Sequence, residues 1–338
     1  MQESIWRAGV RALVKGVCLF AGFGVGMVIL AEMVGAIADQ DKGISSYYDL
    51  EVMPNVKGER KELAKTAPVL LVANVEGLIG TERLNMQTFH QMLVEAREGV
   101  LNKRVKGVLL RINSMGGTVT DSDAIYRMVG AFKEQMGVPV VAYVEGVCAS
   151  GGYYVACAAD RIVASDTAIV GSIGVVSPPF MNVTKLMEKV GVESETFSKG
   201  KGKDSLNPFR PWGPDEGKNF DDILAFHYDN FVSIVTDKRK VEREKLVDDW
   251  GAKVFPAPQA LEMGLIDAMG SFADAQKALL AELAIDDDYY QVVQLQRNWI
   301  SQLLQTQSTL WQGKVQHEWK WPNQLDSKLE NQFLYLMP

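Results

Sequence analysis

Four short apolar runs limit what this chain can fold into: Val69 to Val75, Lys106 to Ile112, Val138 to Val144 and Ala168 to Val176. Each is too short for a buried helix and lacks the polar alternation of a half-exposed strand, so each reads as a strand covered on both faces. Between them, Met86 to Leu101 places Phe89, Met92, Leu93, Ala96 and Val100 on one helical face, and Thr118 to Glu134 reads as a second helix. Strands alternating with helices predict an α/β fold of parallel βαβ units. Downstream, Arg161 to Ala164 is a short strand and Asp215 to Val241 a long helix, with Phe220, Ile223, Leu224, His227, Phe231 and Ile234 near the helical period. Lys253 to Phe255, a helix through Ala257 to Met263, and Leu265-Ile266-Asp267 close the domain. No internal repeat is present, so one copy of the domain is expected.

The flanks differ from this core. Gly16 to Ala31 is uncharged, Glu32 interrupts, and Met33 to Ala38 resumes, an apolar stretch of about 22 residues or roughly 33 Å as a helix, enough to cross a bilayer. Arg7, Arg11 and Lys15 precede it, which places residues 1–15 in the cytoplasm, 16–38 in the membrane and the bulk of the chain on the extracytoplasmic side. Ala36-Ile37-Ala38 also resembles a signal-peptidase site, so a cleaved signal peptide is the rival reading; the length of the apolar stretch favours an anchor. Residues 39–66 are polar, with Gly43, Pro54 and Gly58, and read as a linker; 67–285 are expected to form the main folded domain. The extension 286–338 starts acidic, turns Gln-rich and carries Trp299, Trp311, Trp319 and Trp321. An interfacial or partner-binding helix, a disordered tail and a cover over the domain all fit it.

A formal charge of −7 without a Lys/Arg-dense run excludes a nucleic-acid surface. Cys18, Cys148 and Cys157 lack metal-ligand spacing, and their odd number gives no complete disulfide framework. Cys148 and Cys157 read as small core residues. No metal cluster or cofactor motif is visible, and none is expected.

The third run enters Cys148-Ala149-Ser150-Gly151-Gly152-Tyr153-Tyr154 and then a small-residue helix. A serine at a strand-to-helix junction is either a nucleophile beside free backbone N–H groups or an N-cap residue with packing glycines. A second such junction, Arg111-Ile112-Asn113-Ser114-Met115-Gly116-Gly117-Thr118, follows the second run. Acyl transfer needs two N–H donors aimed at the oxyanion, and Gly151 and Gly117 would supply them from adjacent turns. Phosphate binding is disfavoured, because the P-loop lysine-hydroxyl pair is missing. A nucleophilic serine also needs a base. None of His90, His227 and His317 is placed in sequence like a triad partner. The run Ser198-Lys199-Gly200-Lys201-Gly202-Lys203-Asp204 offers a lysine instead, provided desolvation lowers an amine from about 10.4 toward neutrality; a solvated loop is the plainer account of three lysines among glycines.

Asn113-Ser114-Met115-Gly116-Gly117, Ala149-Ser150-Gly151-Gly152-Tyr153-Tyr154, Val170-Gly171-Ser172-Ile173-Gly174-Val175 and Gly200-Lys201-Gly202-Lys203-Asp204, in that order, resemble the signal peptide peptidase A family. The resemblance covers roughly Val69 to Phe272. It implies a membrane-anchored serine protease with a Ser-Lys dyad on the fold of Clp protease and crotonase, built of ββα/βαβ units. Position by position it makes Ser150 the nucleophile, Gly117 and Gly151 the oxyanion donors, Lys203 the general base and Ser172 the residue that orients the lysine amine. Met115 departs from the usual proline, which loosens a rigid turn. A single domain copy matches the family's short form, which implies a homo-oligomeric ring with each dyad shared between neighbouring protomers, and signal peptides or other apolar peptides as substrate. Two other readings stand beside this one: acyl-CoA chemistry on the same fold, and a non-catalytic membrane scaffold.

Overall fold

Alternate residues of the first apolar run point to opposite sides of one sheet, and both sides are covered. Val69, Leu71, Ala73 and Val75 face one core with Phe89, Met92, Leu93 and Ala96 of one helix and Ile125, Val129 and Phe132 of the next. Leu70 and Val72 face a second core with Leu109, Val141, Tyr143, Ala275 and Leu279. The absence of alternation in these runs follows from burial on both faces.

The structure, a computed structural model, describes residues 48–283, 285, 289–297 and 334–336, with Lys15, Gly16, Gly22 and Gly26. Contacts divide the chain into residues 1–47 and 48–338, and the second unit is described below. Its elements are β1 (Tyr48–Met53), β2 (Val69–Ile79), α1 (Met86–Glu98), β3 (Val105–Thr118), α2 (Val119–Met136), β4 (Val140–Ala149), α3 (Gly151–Ala156), β5 (Arg161–Ala164) and β6 (Ile169–Gly171). There follow α4 (Thr184–Val190), α5 (Lys218–Arg239), a π-helical turn (Lys245–Trp250), β7 (Val254–Pro256), α6 (Ala257–Glu262), β8 (Ala268–Met269), α7 (Phe272–Ala281), β9 (Gln291–Arg297) and β10 (Leu334–Leu336). Among the described residues the sheet runs β1-β9-β2-β3-β4-β5-β8. It is parallel from β9 to β8, with β1 antiparallel on β9. β6 pairs parallel with the end of β4 and antiparallel with β7, and β10 pairs antiparallel with the end of β3.

Several elements differ from the sequence expectation. Asn85 caps α1 and the helix stops at Gly99, so Val100 falls beyond it and is exposed rather than on the buried face. The long helix buries Phe231, Val232 and Val235, a patch confined to its C-terminal half. β3 does not end at Ile112 but continues to Thr118, because Leu78 and Ile79 of β2 pair with Gly116 and Gly117 on one side and β10 pairs on the other. Residues 48–53, within the stretch read as a linker, and 291–297, beyond residue 285, both belong to the sheet.

The stretch read as an anchor, 16–38, lies outside the described residues except for Gly16, Gly22 and Gly26, as do Trp299, Trp311, Trp319 and Trp321. Among the described residues no helix is long and apolar enough to cross a membrane.

Candidate active site

β4 ends at Ala149 and α3 begins at Gly151, leaving Ser150 to make the whole reversal between strand and helix. It does so at φ 53° and ψ −120°, a conformation that L-residues adopt at a cost of about 1–3 kcal/mol. Backbone bonds hold it there: the Ser150 N–H donates to the Gly171 carbonyl at 2.8 Å, and the Ser150 carbonyl accepts from Tyr154 N–H at 2.9 Å. The residue is buried, yet among the described residues its Oγ has no hydrogen-bond partner. In particular it caps no backbone N–H of α3, which removes the N-cap account of this serine.

Two tyrosines under α3 fix the helix. Tyr153 donates its hydroxyl to the Leu265 carbonyl at 2.8 Å, and Tyr154 donates to Asp123 Oδ1 of α2 at 2.8 Å. Cys148 and Cys157 are buried, as expected of core residues. Burial pushes the Cys157 thiol up to about 12 and the Cys148 thiol well above its usual range, so neither supplies a thiolate.

The structure brings Ser172 and the two glycines to the same end of the sheet. Ala149 pairs with Gly171, which sets Ser172 beside Ser150; Ser172 has φ 54°, and its N–H donates to the Lys253 carbonyl at 2.7 Å. Gly151 opens α3, where a backbone N–H has no intrahelical acceptor. Gly117 sits in β3 between β2 and β10, not in a loop, and a Cβ there would overlap the Ile79 carbonyl. Gly152 is equally constrained: a Cβ would come within 2.8 Å of the Ser114 carbonyl.

The structure does not bring Lys203 to Ser150. Lys203 is exposed in a series of turns after Ser198, and its amine makes no hydrogen bond or ion pair among the described residues; Lys199 and Lys201 are exposed beside it. The turns are held from behind. Arg210 donates from Nε to Asp204 Oδ2 at 2.5 Å, from Nη1 to Glu216 Oε2 at 3.0 Å, and from Nη2 to Glu216 Oε1 and the Asp204 carbonyl. Glu216 in turn accepts from the N–H groups of Leu206 and Gly213. Arg210 above all holds the Glu216 carboxyl near about 2, and Arg210 with Asn207 holds that of Asp204 below its usual range. Sequence reasoning missed this clasp; the basic and acidic residues spaced six apart around Pro208 and Pro211 were its only trace.

Among the described residues no histidine serves Ser150. His90 is exposed on α1, His227 is half-buried on α5 against Phe226 with its pKa lowered by burial, and His317 lies outside the described residues. Among the described residues no group of three or more acidic, histidine or cysteine side chains could hold a metal.

The chain is similar to several known proteins. The family model described as Peptidase family S49 matches residues 132–286, and that described as Clp protease matches residues 79–170. A putative signal peptide peptidase SppA of Enterococcus faecium is 29% identical over 282 residues, covering 79% of this chain and 80% of that protein. A putative protease of Synechocystis sp. is 35% identical over 196 residues, covering 58% of this chain and 70% of that protein. Among solved structures, a ClpP1 mutant from Listeria monocytogenes aligns over 62% of this chain and 94% of its own, with 14% identity and a TM-score of 0.40. A serine peptidase on a mixed α/β sheet is the class these matches define. The chain belongs to peptidase family S49, the family of signal peptide peptidase A.

Proposed function

We propose that the protein is a membrane-anchored serine endopeptidase that hydrolyses remnant signal peptides or other apolar peptides through Ser150 and Lys203. The observation that carries the reading is the Ser150 hydroxyl: buried, on a strained backbone and without a hydrogen-bond partner. A buried polar group left unpaired costs stability, and such costs collect at functional sites. It is the bond to a base that this hydroxyl lacks.

An extended substrate lies along β3 at Gly116–Thr118, an edge that accepts an antiparallel strand, as Leu334–Leu336 does here. Lys203 Nζ takes the Ser150 proton as Oγ attacks the scissile carbonyl carbon. The carbonyl oxygen becomes an oxyanion between the Gly117 and Gly151 N–H groups. Collapse breaks the C–N bond, and the proton on Lys203 passes to the leaving amine. A water held with the help of Ser172 then gives a proton to Lys203 and its oxygen to the acyl carbon, and as the Ser150 Oγ–acyl bond breaks Lys203 returns that proton to Oγ, freeing Ser150 and the acid product.

Lys203 comes from a neighbouring protomer of a homo-oligomeric ring. Its exposure in a single chain supports this, as do Phe180, Met181, Leu186, Val190 and Phe197, apolar side chains exposed on the segment between β6 and Lys203. Burial against a second chain is also what makes an amine a base near neutral pH. Residues 16–38 anchor the ring in the membrane with the catalytic domain on the extracytoplasmic side.

The test is covalent trapping with a fluorophosphonate and identification of the modified residue by mass spectrometry, alongside turnover of a fluorogenic peptide. Ser150 is expected to carry the label, and Ser150→Ala and Lys203→Ala to abolish turnover. Activity retained in either variant would overturn the dyad.

A further inference from the structure

The strand that carries Gly117 is interrupted on both flanks just before it reaches that residue. β2 and β3 pair in step as far as Glu76 opposite Asn113 and resume at Leu78 opposite Gly116, so Ser114 and Met115 stand against Gly77 alone. On the other flank, pairing with β4 stops at Ile112 opposite Val144 and resumes at Ser114 opposite Cys148, so Glu145, Gly146 and Val147 stand against Asn113. A bulge bends its strand and leaves ladder groups without partners. On the β4 flank Asn113 Oδ1 accepts from the Val147 N–H at 3.1 Å, and on the β2 flank, the one nearer Gly117, Ser114 takes up the ladder groups. Ser114 Oγ donates to the Gly77 carbonyl at 2.6 Å and accepts from the Gly116 N–H at 3.1 Å, and the residue is 1% exposed. The Ser114 carbonyl meanwhile abuts Gly152 in the first turn of α3, next to Gly151. Met115 is 45% exposed and brings no ring to set the backbone angle of the turn. Among the described residues the hydroxyl is therefore the side-chain tie across the β2 side of the bulge, the side that leads into Gly117.

We propose that Ser114 is a positioning residue for the oxyanion site: by closing the bulge at Gly77 it fixes the direction of the Gly117 N–H. The inference rests on the reading of Gly117 as an oxyanion donor. Ser114 touches neither substrate nor nucleophile in this role. Loss of its hydroxyl is felt where charge develops, in the transition state, and not in the binding of an uncharged peptide.

The full chain in detergent tests this, with Ser114→Ala, Ser114→Cys and the double variant Ser114→Ala/Met115→Pro. Measured for each are kcat and KM on a fluorogenic peptide, and inhibition by a peptide aldehyde and by the corresponding peptide alcohol, which forms no tetrahedral adduct. Ser114→Ala is expected to lower kcat about 10- to 100-fold with KM nearly unchanged, since a misaimed donor costs less than a deleted one. Aldehyde inhibition should weaken by a similar factor and alcohol inhibition should not. Cysteine, of similar size but a weaker donor, should fall between serine and alanine, and it answers the question if the alanine variant does not fold. The proline of the double variant should restore part of kcat by setting the turn another way. Unchanged kcat in Ser114→Ala, or equal losses of aldehyde and alcohol binding, would overturn the proposal. A Ser150→Ala protein that still turns over substrate would overturn the site and this proposal together, whereas an inactive Ser150→Ala beside a fully active Ser114→Ala would remove Ser114 alone.

Discussion

Ser150 combines two costs that a purely structural residue would have shed: a positive φ and a buried hydroxyl without a partner. Glycine adopts this conformation without strain, whereas alanine keeps it. Ser150→Gly and Ser150→Ala should both be inactive, but the glycine variant should be more stable to denaturant by about 1 kcal/mol. Equal midpoints in urea for the two would mean that the backbone there is not strained. Cys148, two residues upstream, shows the contrast. Its side chain is equally buried, but as a neutral thiol it behaves as a small apolar group and needs no partner.

β10 lies where a substrate strand is proposed to bind, with Tyr335 opposite Gly117. A peptide using that edge must displace it, so removal of residues 334–338 should lower KM several-fold while leaving kcat unchanged; an unchanged KM would mean that the two do not compete. The Arg210 clasp behind Lys203 makes a pH prediction. The Glu216 carboxyl is depressed from 4.5 to about 2 in the fold, so its contribution is whole above about 4.5 and is lost as the pH falls toward about 2. Proteolysis within 204–216 should accelerate over that acid range, and Arg210→Ala should show the same susceptibility already at neutral pH. These elements also mark how far the sequence could be read. The strand cores, the junction at Ser150 and the origin of Gly117 and Gly151 on adjacent strands were legible, because continuous apolar runs and short turns are local signals, while Ser172 was singled out by the family resemblance alone. The end of β3 was not. Asn113-Ser114-Met115-Gly116-Gly117 has turn composition, and only pairing with β2 and β10 on either side makes it a strand. β1 and β9 were hidden for a similar reason: each is short, and each is made a strand by pairing with residues far away in sequence, as Leu50 with Leu295, 245 positions on. A partner for Lys203 on a second chain was implied by the family resemblance alone, since nothing local in Ser198 to Asp204 signals it.

The whole molecule has an exposed catalytic candidate and a buried one that do not meet within a chain. Mixing Ser150→Ala and Lys203→Ala subunits therefore separates two arrangements. If each site draws its serine and lysine from different protomers, random co-assembly at equal amounts restores about a quarter of the sites. If both come from one chain it restores none, and peptide turnover after co-assembly, checked by mass, distinguishes them. A last consequence follows from β1 and β9. Tyr48 pairs with Arg297, so the start of β1 and the end of β9 are neighbours, about 5 Å apart between Cα atoms. The body is thus a nearly closed loop of chain. Joining Arg297 to Tyr48 through a short hairpin and reopening the chain between Glu62 and Leu63 would give a circular permutant that lacks β10 and keeps the strand order β1-β9-β2-β3-β4-β5-β8. Its melting temperature should match that of the unpermuted body; a permutant that never folds would mean that the order in which strands leave the ribosome, and not their final pairing, governs assembly.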